Sequence, residues 1–140
     1  MPGQPGGGAV TDPDVLRSML QRYARAADER DVDRLAELFE PTAEVIGARG
    51  TQTVGEWLDT MRGPRAFPTS MHLIGDPLIE LDEAAGVATM DTYAVVYQLS
   101  EPDSGNADLT LGIRYLDEVV RGGDGTWRIR RRTSRTLWMR

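Results

Sequence analysis

Residues 87–138, VATMDTYAVVYQLSEPDSGNADLTLGIRYLDEVVRGGDGTWRIRRRTSRTLW, decide how this chain folds. They hold three runs rich in Val, Ile, Leu, Tyr and Thr, at 87–99, 109–120 and 127–138, each of which reads as a long strand. A polar loop at 101–108 separates the first two. Gly122-Gly123-Asp124-Gly125 is a strong turn signal before the third. Strands joined this closely predict an antiparallel meander.

Working outward, 70–81 reads as one more strand, interrupted near Gly75 to Pro77 by a bulge or bend. Everything after Phe67 is therefore expected to be sheet. Upstream the period changes. Asp12 suits a helix cap and Pro13 a first turn, and Leu16, Met19, Leu20, Tyr23 and Ala27 then recur at helical spacing to about residue 28. A second short helix is predicted after Asp31, with Leu35, Leu38 and Phe39 facing inward and Pro41 ending it. Residues 43–46 read as a short strand and 54–61 as a third helix, stopped by Gly63-Pro64. Helices followed by a long sheet predict an α+β domain. Such a sheet must curl around the helices to bury one face, and the open end of the curl makes a pocket. Residues 1–11 are expected to be a disordered tail, and 12–140 a single domain.

Composition narrows the function. The chain has 140 residues, no cysteine and a single histidine, His72. Disulfides, thiolate catalysis and multi-His or Cys-based metal centres are excluded, so no metal and no cofactor are expected. A net charge of −6 argues against nucleic acid as a partner. Arg128, Arg130, Arg131, Arg132 and Arg135 form the one basic run. No apolar stretch is long enough to span a bilayer, and the N-terminus lacks the pattern of a signal peptide, so no membrane partner and a cytoplasmic location are expected.

Several stretches carry a resemblance. Tyr23-Ala-Arg-Ala-Ala-Asp28-Glu-Arg-Asp31-Val-Asp-Arg-Leu35-Ala-Glu-Leu-Phe39 resembles the opening helices of SnoaL-like proteins, in the nuclear-transport-factor-2-like (NTF2-like) superfamily. Thr69-Ser-Met-His72-Leu-Ile-Gly-Asp-Pro-Leu-Ile-Glu80-Leu-Asp82, Ala88-Thr-Met-Asp-Thr-Tyr93, Tyr115-Leu-Asp-Glu-Val-Val-Arg121 and Gly125-Thr-Trp127-Arg-Ile-Arg-Arg-Arg132 continue the match in order. The resemblance implies a cone-shaped, curved antiparallel sheet wrapped around N-terminal helices, an NTF2-like α+β barrel. Relatives include scytalone dehydratase, bile-acid dehydratases, a hexachlorocyclohexane dehydrochlorinase and polyketide cyclases, together with dioxygenase beta subunits described as structural. In the lyases a helix Asp and a strand His form a dyad, which falls on Asp28 and His72. The dehydratases' Tyr falls on Tyr23. The dehydrochlorinase's last-strand Arg falls on Arg132, give or take one position, which leaves Arg131 open. The extra carboxylate of the bile-acid dehydratases falls on Val96 and is missing here.

These residue types suit proton transfer. Imidazole ionises near neutral pH, at about 6.5, and a carboxylate partner fixes its tautomer and stabilises the imidazolium. Tyr23 or Arg132 could hold a developing oxyanion. Each residue also has a plainer role: His72 as a core or surface histidine, Asp28 as a cap between helices, Tyr23 as packing, the arginines as solvent-facing strand residues. Asp31 is the better-placed cap, which frees Asp28 for other work. Asp91 could face either pocket or solvent. Met19, Trp57, Met61, Phe67, Met71 and Met90 are most simply core.

The expected function is a cofactor-independent lyase, isomerase or cyclase acting on an apolar polyketide, steroid or terpenoid. The alternative is a non-catalytic binding or structural accessory subunit. A homodimer or homotrimer is expected, with Leu137, Trp138 and Met139 as candidate contacts.

Overall fold

The computed structural model describes residues 10–140, so most of the expected tail lies outside the described residues. Helix α1 (Pro13–Glu29) starts where the sequence places it. The Asp12 side chain accepts the Asp14 N–H, and Pro13 occupies the first turn. Leu16, Met19, Leu20, Tyr23 and Ala27 are all buried, as their spacing predicts. The helix stops at Arg30, which takes a left-handed φ of 55° so that its N–H reaches the carbonyls of Ala26 and Ala27.

Helix α2 (Val32–Glu37) is capped by the Asp31 side chain, which accepts the Arg34 N–H. It ends earlier than expected. Phe39 opens strand β1 (Phe39–Gly47), and Pro41 lies inside that strand instead of terminating the helix. The reason is tertiary: Ile129 donates its N–H to the Leu38 carbonyl and pairs with Phe39. Pro41 falls where the register shifts between Phe39 and Glu44, at an irregularity that tolerates a residue without an N–H. Strand β2 (Gly50–Thr53) was not anticipated and forms a hairpin with β1. A capping box between Thr53 and Glu56 then starts α3 (Val54–Thr60).

The remaining strands are β3 (Thr69–Ile74), β4 (Leu78–Asp82), β5 (Val87–Leu99), β6 (Leu109–Arg121) and β7 (Trp127–Met139). The sheet order is β2-β1-β7-β6-β5-β3, with β4 also on β5. The interrupted segment thus becomes two strands laid end to end along one neighbour. β3 pairs with the second half of β5 and β4 with the first half. Between them Gly75 donates its N–H to the Tyr93 carbonyl at 2.8 Å. A Cβ there would stand 3.0 Å from that carbonyl oxygen, so the crossing needs glycine.

The expectation of an antiparallel sheet needs one correction. β1 joins β7 in parallel, because the chain enters β1 from the helices, while β5, β6 and β7 form the antiparallel meander. The result is a curved, unclosed, mostly antiparallel sheet with the helices on its inner face. Among the described residues no helix is long and apolar enough to cross a membrane.

The core lies between α1 and the inward rows of the sheet: Ala88, Met90, Ala94 and Val96 from β5, and Ile113, Tyr115 and Val119 from β6. The outer face keeps Leu73, Leu78, Tyr93, Leu137 and Trp138 exposed. Met71, expected in the core, joins that face because it alternates with His72.

Arg30 carries a strain that glycine would not feel. Left-handed backbone costs an L-residue roughly 1–2 kcal/mol, partly offset by the extra freedom of glycine when unfolded. Arg30→Gly is expected to raise stability by about 0.5–1 kcal/mol in urea denaturation. A loss of stability would contradict this account of the helix end.

Candidate active site

The site begins where α1 meets β3. Asp28, in the last turn of α1, is 18% exposed at its side chain and His72 is 11% exposed. One oxygen, Oδ1, accepts from the Ser70 hydroxyl at 2.7 Å and contacts His72 Nδ1 at 2.6 Å. The other, Oδ2, accepts the His72 backbone N–H at 2.9 Å. Arg65 donates to the Asp28 carbonyl from the rim at 3.3 Å. With Asp28 ionised, Nδ1 carries the imidazole proton, and Nε2 keeps a lone pair. Burial pushes the His72 pKa below its ordinary value, the Asp28 hydrogen bond offsets part of that shift, and the charge of Arg132 adds to it.

Tyr23, on the same helix, binds this dyad to a second cluster. Its ring meets His72 edge-on at 5.7 Å and Tyr115 at 5.7 Å, and stacks on Trp57 at 6.4 Å. The Arg132 guanidinium lies over two tyrosine rings, 4.1 Å from the Tyr23 ring centroid and 4.2 Å from that of Tyr115. Asp117 grips its edge, accepting from Nε at 2.7 Å and from Nη2 at 3.0 Å. Burial alone would lower the Arg132 pKa, but Asp117 raises it, so the guanidinium stays charged. Burial likewise pushes the Tyr115 pKa well up, which keeps that phenol protonated.

The sequence left Arg131 and Arg132 as rivals, and a bulge decides between them. On β6, Val119 faces Ile129, but Glu118 faces Arg131, so Arg130 is the extra residue on β7. Strict alternation would put Ile129 and Arg131 on one face. The bulge shifts the phase, so Ile129 and Arg132 both point inward. Arg131 faces out and pairs with Glu44 at 3.0 Å, and Arg128 pairs with Asp124 at 3.2 Å. Asp91 is also on the outer face, where both its oxygens accept from Arg114.

All four expected residues, Tyr23, Asp28, His72 and Arg132, are therefore close neighbours. The sequence reading missed Ser70, Tyr115 and Asp117. Tyr115 and Asp117 carried a usable signal, since they alternate with the apolar residues Ile113 and Val119 on one inward row. Thr92, opposite Tyr115, is buried with an unpartnered hydroxyl, and Arg132 Nη1 is likewise buried without a partner. Val96 stands directly across from His72, which leaves no carboxylate at that position.

Cavities of about 280 to 580 Å³ among the described residues border residues other than Tyr23, Asp28, His72 and Arg132, so the expected deep pocket is not one of them. One of about 280 Å³, between Arg49, Gln52, Ser134 and Thr136, shares Trp57 with the aromatic cluster. An apolar hollow of about 580 Å³ lies on the outer face, lined by Leu73, Tyr93, Val95, Leu137 and Trp138. Among the described residues no group of three or more His, Cys, Asp or Glu could hold a metal ion.

Comparison with known proteins gives a family and a fold. A family model described as a SnoaL-like domain matches residues 9–133. No curated protein matches the sequence. Among solved structures, a candidate scytalone dehydratase from Novosphingobium aromaticivorans is similar at 23% identity and a TM-score of 0.80, covering 91% of this chain and 85% of that one. A hexachlorocyclohexane dehydrochlorinase (LinA type 2) is similar at 18% identity and a TM-score of 0.78, covering 91% and 86%. An NTF2-like protein with a cystatin-like fold, also from Novosphingobium aromaticivorans, is similar at 23% identity and a TM-score of 0.72, covering 90% and 82%.

The buried imidazole makes stability depend on pH with a definite sign. His72 titrates lower in the folded chain than its unfolded value of about 6.5, so the unfolded state binds more protons. Stability therefore rises with pH through that window and falls on acidification below about pH 6.5. The urea midpoint is expected to drop between about pH 7.5 and about pH 5.5, with a shallower slope in His72→Gln. An identical slope in both proteins would contradict the assignment.

Proposed function

The chain belongs to the SnoaL-like domain family, and we propose that it is a cofactor-independent lyase, isomerase or cyclase for an apolar small molecule, of polyketide, steroid or terpenoid type. The observation that carries this reading is the 2.6 Å contact of His72 Nδ1 with Asp28, held inside the curl next to a buried arginine. A histidine serving only as packing has no need of a carboxylate on one nitrogen and a free lone pair on the other. Likeness to a dehydratase and a dehydrochlorinase supports the same class of chemistry.

In the proposed step His72 Nε2 takes a proton from carbon. The C–H bond breaks and an N–H bond forms. The electron pair moves onto a neighbouring carbonyl oxygen as an enolate, or expels a leaving group from the adjacent carbon. Asp28 stabilises the imidazolium without taking its proton. Tyr23 and Arg132 supply hydrogen bonds to the oxygen that becomes negative. Return of the proton to another carbon completes an isomerisation, and its delivery to the leaving group completes an elimination.

A second reading also has an observation behind it. The exposed Leu73, Tyr93, Leu137 and Trp138 form an apolar outer face that suits a binding or accessory subunit. Isotope exchange separates the two. In D₂O, the wild type is expected to accelerate deuterium uptake into carbonyl compounds bearing an acidic C–H, followed by mass spectrometry. His72→Ala should lose about 10²–10⁴ of that rate while keeping affinity for the compound, and Tyr23→Phe should lose a smaller factor. Exchange that survives His72→Ala sinks the catalytic reading. A wild type inert towards the whole panel favours the binding module.

A further inference from the structure

Asp117 is the one buried carboxylate that the proton-transfer step does not use. Its side chain is 0% exposed and that of Arg132 1% exposed. Burying such a pair is unfavourable unless every donor and acceptor is satisfied, and an apolar pair of similar volume would serve the core as well. Here the pair is left incomplete on one side only. Nε and Nη2 are held by Asp117, Cζ lies over the rings of Tyr23 and Tyr115, and Nη1 alone has no partner. The Thr92 hydroxyl, on the neighbouring strand β5, is buried and unpartnered as well. A pair serving only the core has no reason to leave its free donors in the same aromatic cluster as the His72 base.

We propose that Asp117 is a positioning residue that turns Arg132 from a free cation into an oriented hydrogen-bond donor, so that the site selects an uncharged substrate presenting one acceptor atom to Nη1. The charges around the site support this. Tyr23 and Asp28 come from α1, Ser70 and His72 from β3, Trp57 from α3, Thr92 from β5, Tyr115 and Asp117 from β6, and Arg132 from β7. With His72 neutral, one positive charge inside the site stands against two negative ones, Arg65 lying exposed at the rim. A carboxylate ligand would add a third negative charge where water cannot screen it. A neutral carbonyl or hydroxyl oxygen needs only the donor. Proton abstraction then leaves the total unchanged, since the imidazole gains the positive charge that the substrate oxygen balances. The proposal rests on the proton-abstraction reading only for the atom that Nη1 meets.

The test uses iodide as an anionic probe and the lone histidine as reporter, and needs no turnover. The His72 imidazole resonances are followed by NMR as sodium iodide replaces sodium fluoride at constant ionic strength. The wild type is expected to show no saturable shift, because Asp117 already occupies the arginine. Asp117→Asn should gain a saturable shift, and Asp117→Asn/Arg132→Gln should lose it again. If Asp117→Asn does not fold, Asp117→Ser takes its place, with the same gain of a saturable shift expected. Saturable iodide binding by the wild type, or a folded Asp117→Asn that takes up none, overturns the proposal. A neutral probe separates positioning from a merely structural pair: cyclohexanone is expected to shift the His72 resonances saturably in the wild type and not in Asp117→Asn, and equal shifts in the two proteins overturn the proposal. A wild type inert in isotope exchange but matching these results would sink the catalytic reading and leave the role of Asp117 standing.

Discussion

The arrangement of this domain hangs on one carboxylate. Asp28 sits in the last turn of α1, where the helix dipole disfavours a negative charge by about 0.3–1 kcal/mol. It is held there because Ser70, the His72 backbone and the His72 ring all direct donors at it. Those three bonds stitch the end of the helix to β3, at the opposite edge of the sheet from β2. Fixing α1 in this way sets where Tyr23 lies, and the Tyr23 ring in turn covers one face of Arg132. The dyad and the arginine cluster are thus placed by the same helix.

The interior combines groups that a simple apolar core would exclude. A buried arginine is tolerable because Asp117 meets it through two hydrogen bonds and its charge lies over two tyrosine rings. A buried imidazole is tolerable because it stays neutral and has its N–H satisfied. Two of the buried atoms left unsatisfied, Arg132 Nη1 and the Thr92 hydroxyl, lie beside Tyr115. Trp57 stacks on Tyr23 and also lines the cavity beside Ser134 and Thr136.

Much of this was legible in the sequence, where local pattern and tertiary need agree. The three long strands, the caps at Asp12 and Asp31, and the buried stripe of α1 follow from composition and spacing alone. The misreadings fell where distant residues override local preference. Phe39 looks helical until β7 is known to lie beside it, and Gly50–Thr53 is too short and polar to announce a strand. The parallel pairing of β1 with β7 leaves no trace in either segment. Arg132 could not be told from Arg131, because a bulge at Arg130 shifts the phase of the strand and nothing in the run of arginines marks it. Asp117 was visible as a charge on an inward row, but its meaning depends on Arg132 lying across from it.

The central claim is that Asp28 and His72 act as one unit. His72 is the only histidine in the chain, so its imidazole resonances can be followed without ambiguity from about pH 4 to about pH 10, in the wild type and in Asp28→Asn. The account predicts a pKa below about 6.5 in the wild type, moving lower still in Asp28→Asn, because the carboxylate is what holds the imidazolium up against burial. A histidine that titrates near about 6.5 in both proteins would contradict it.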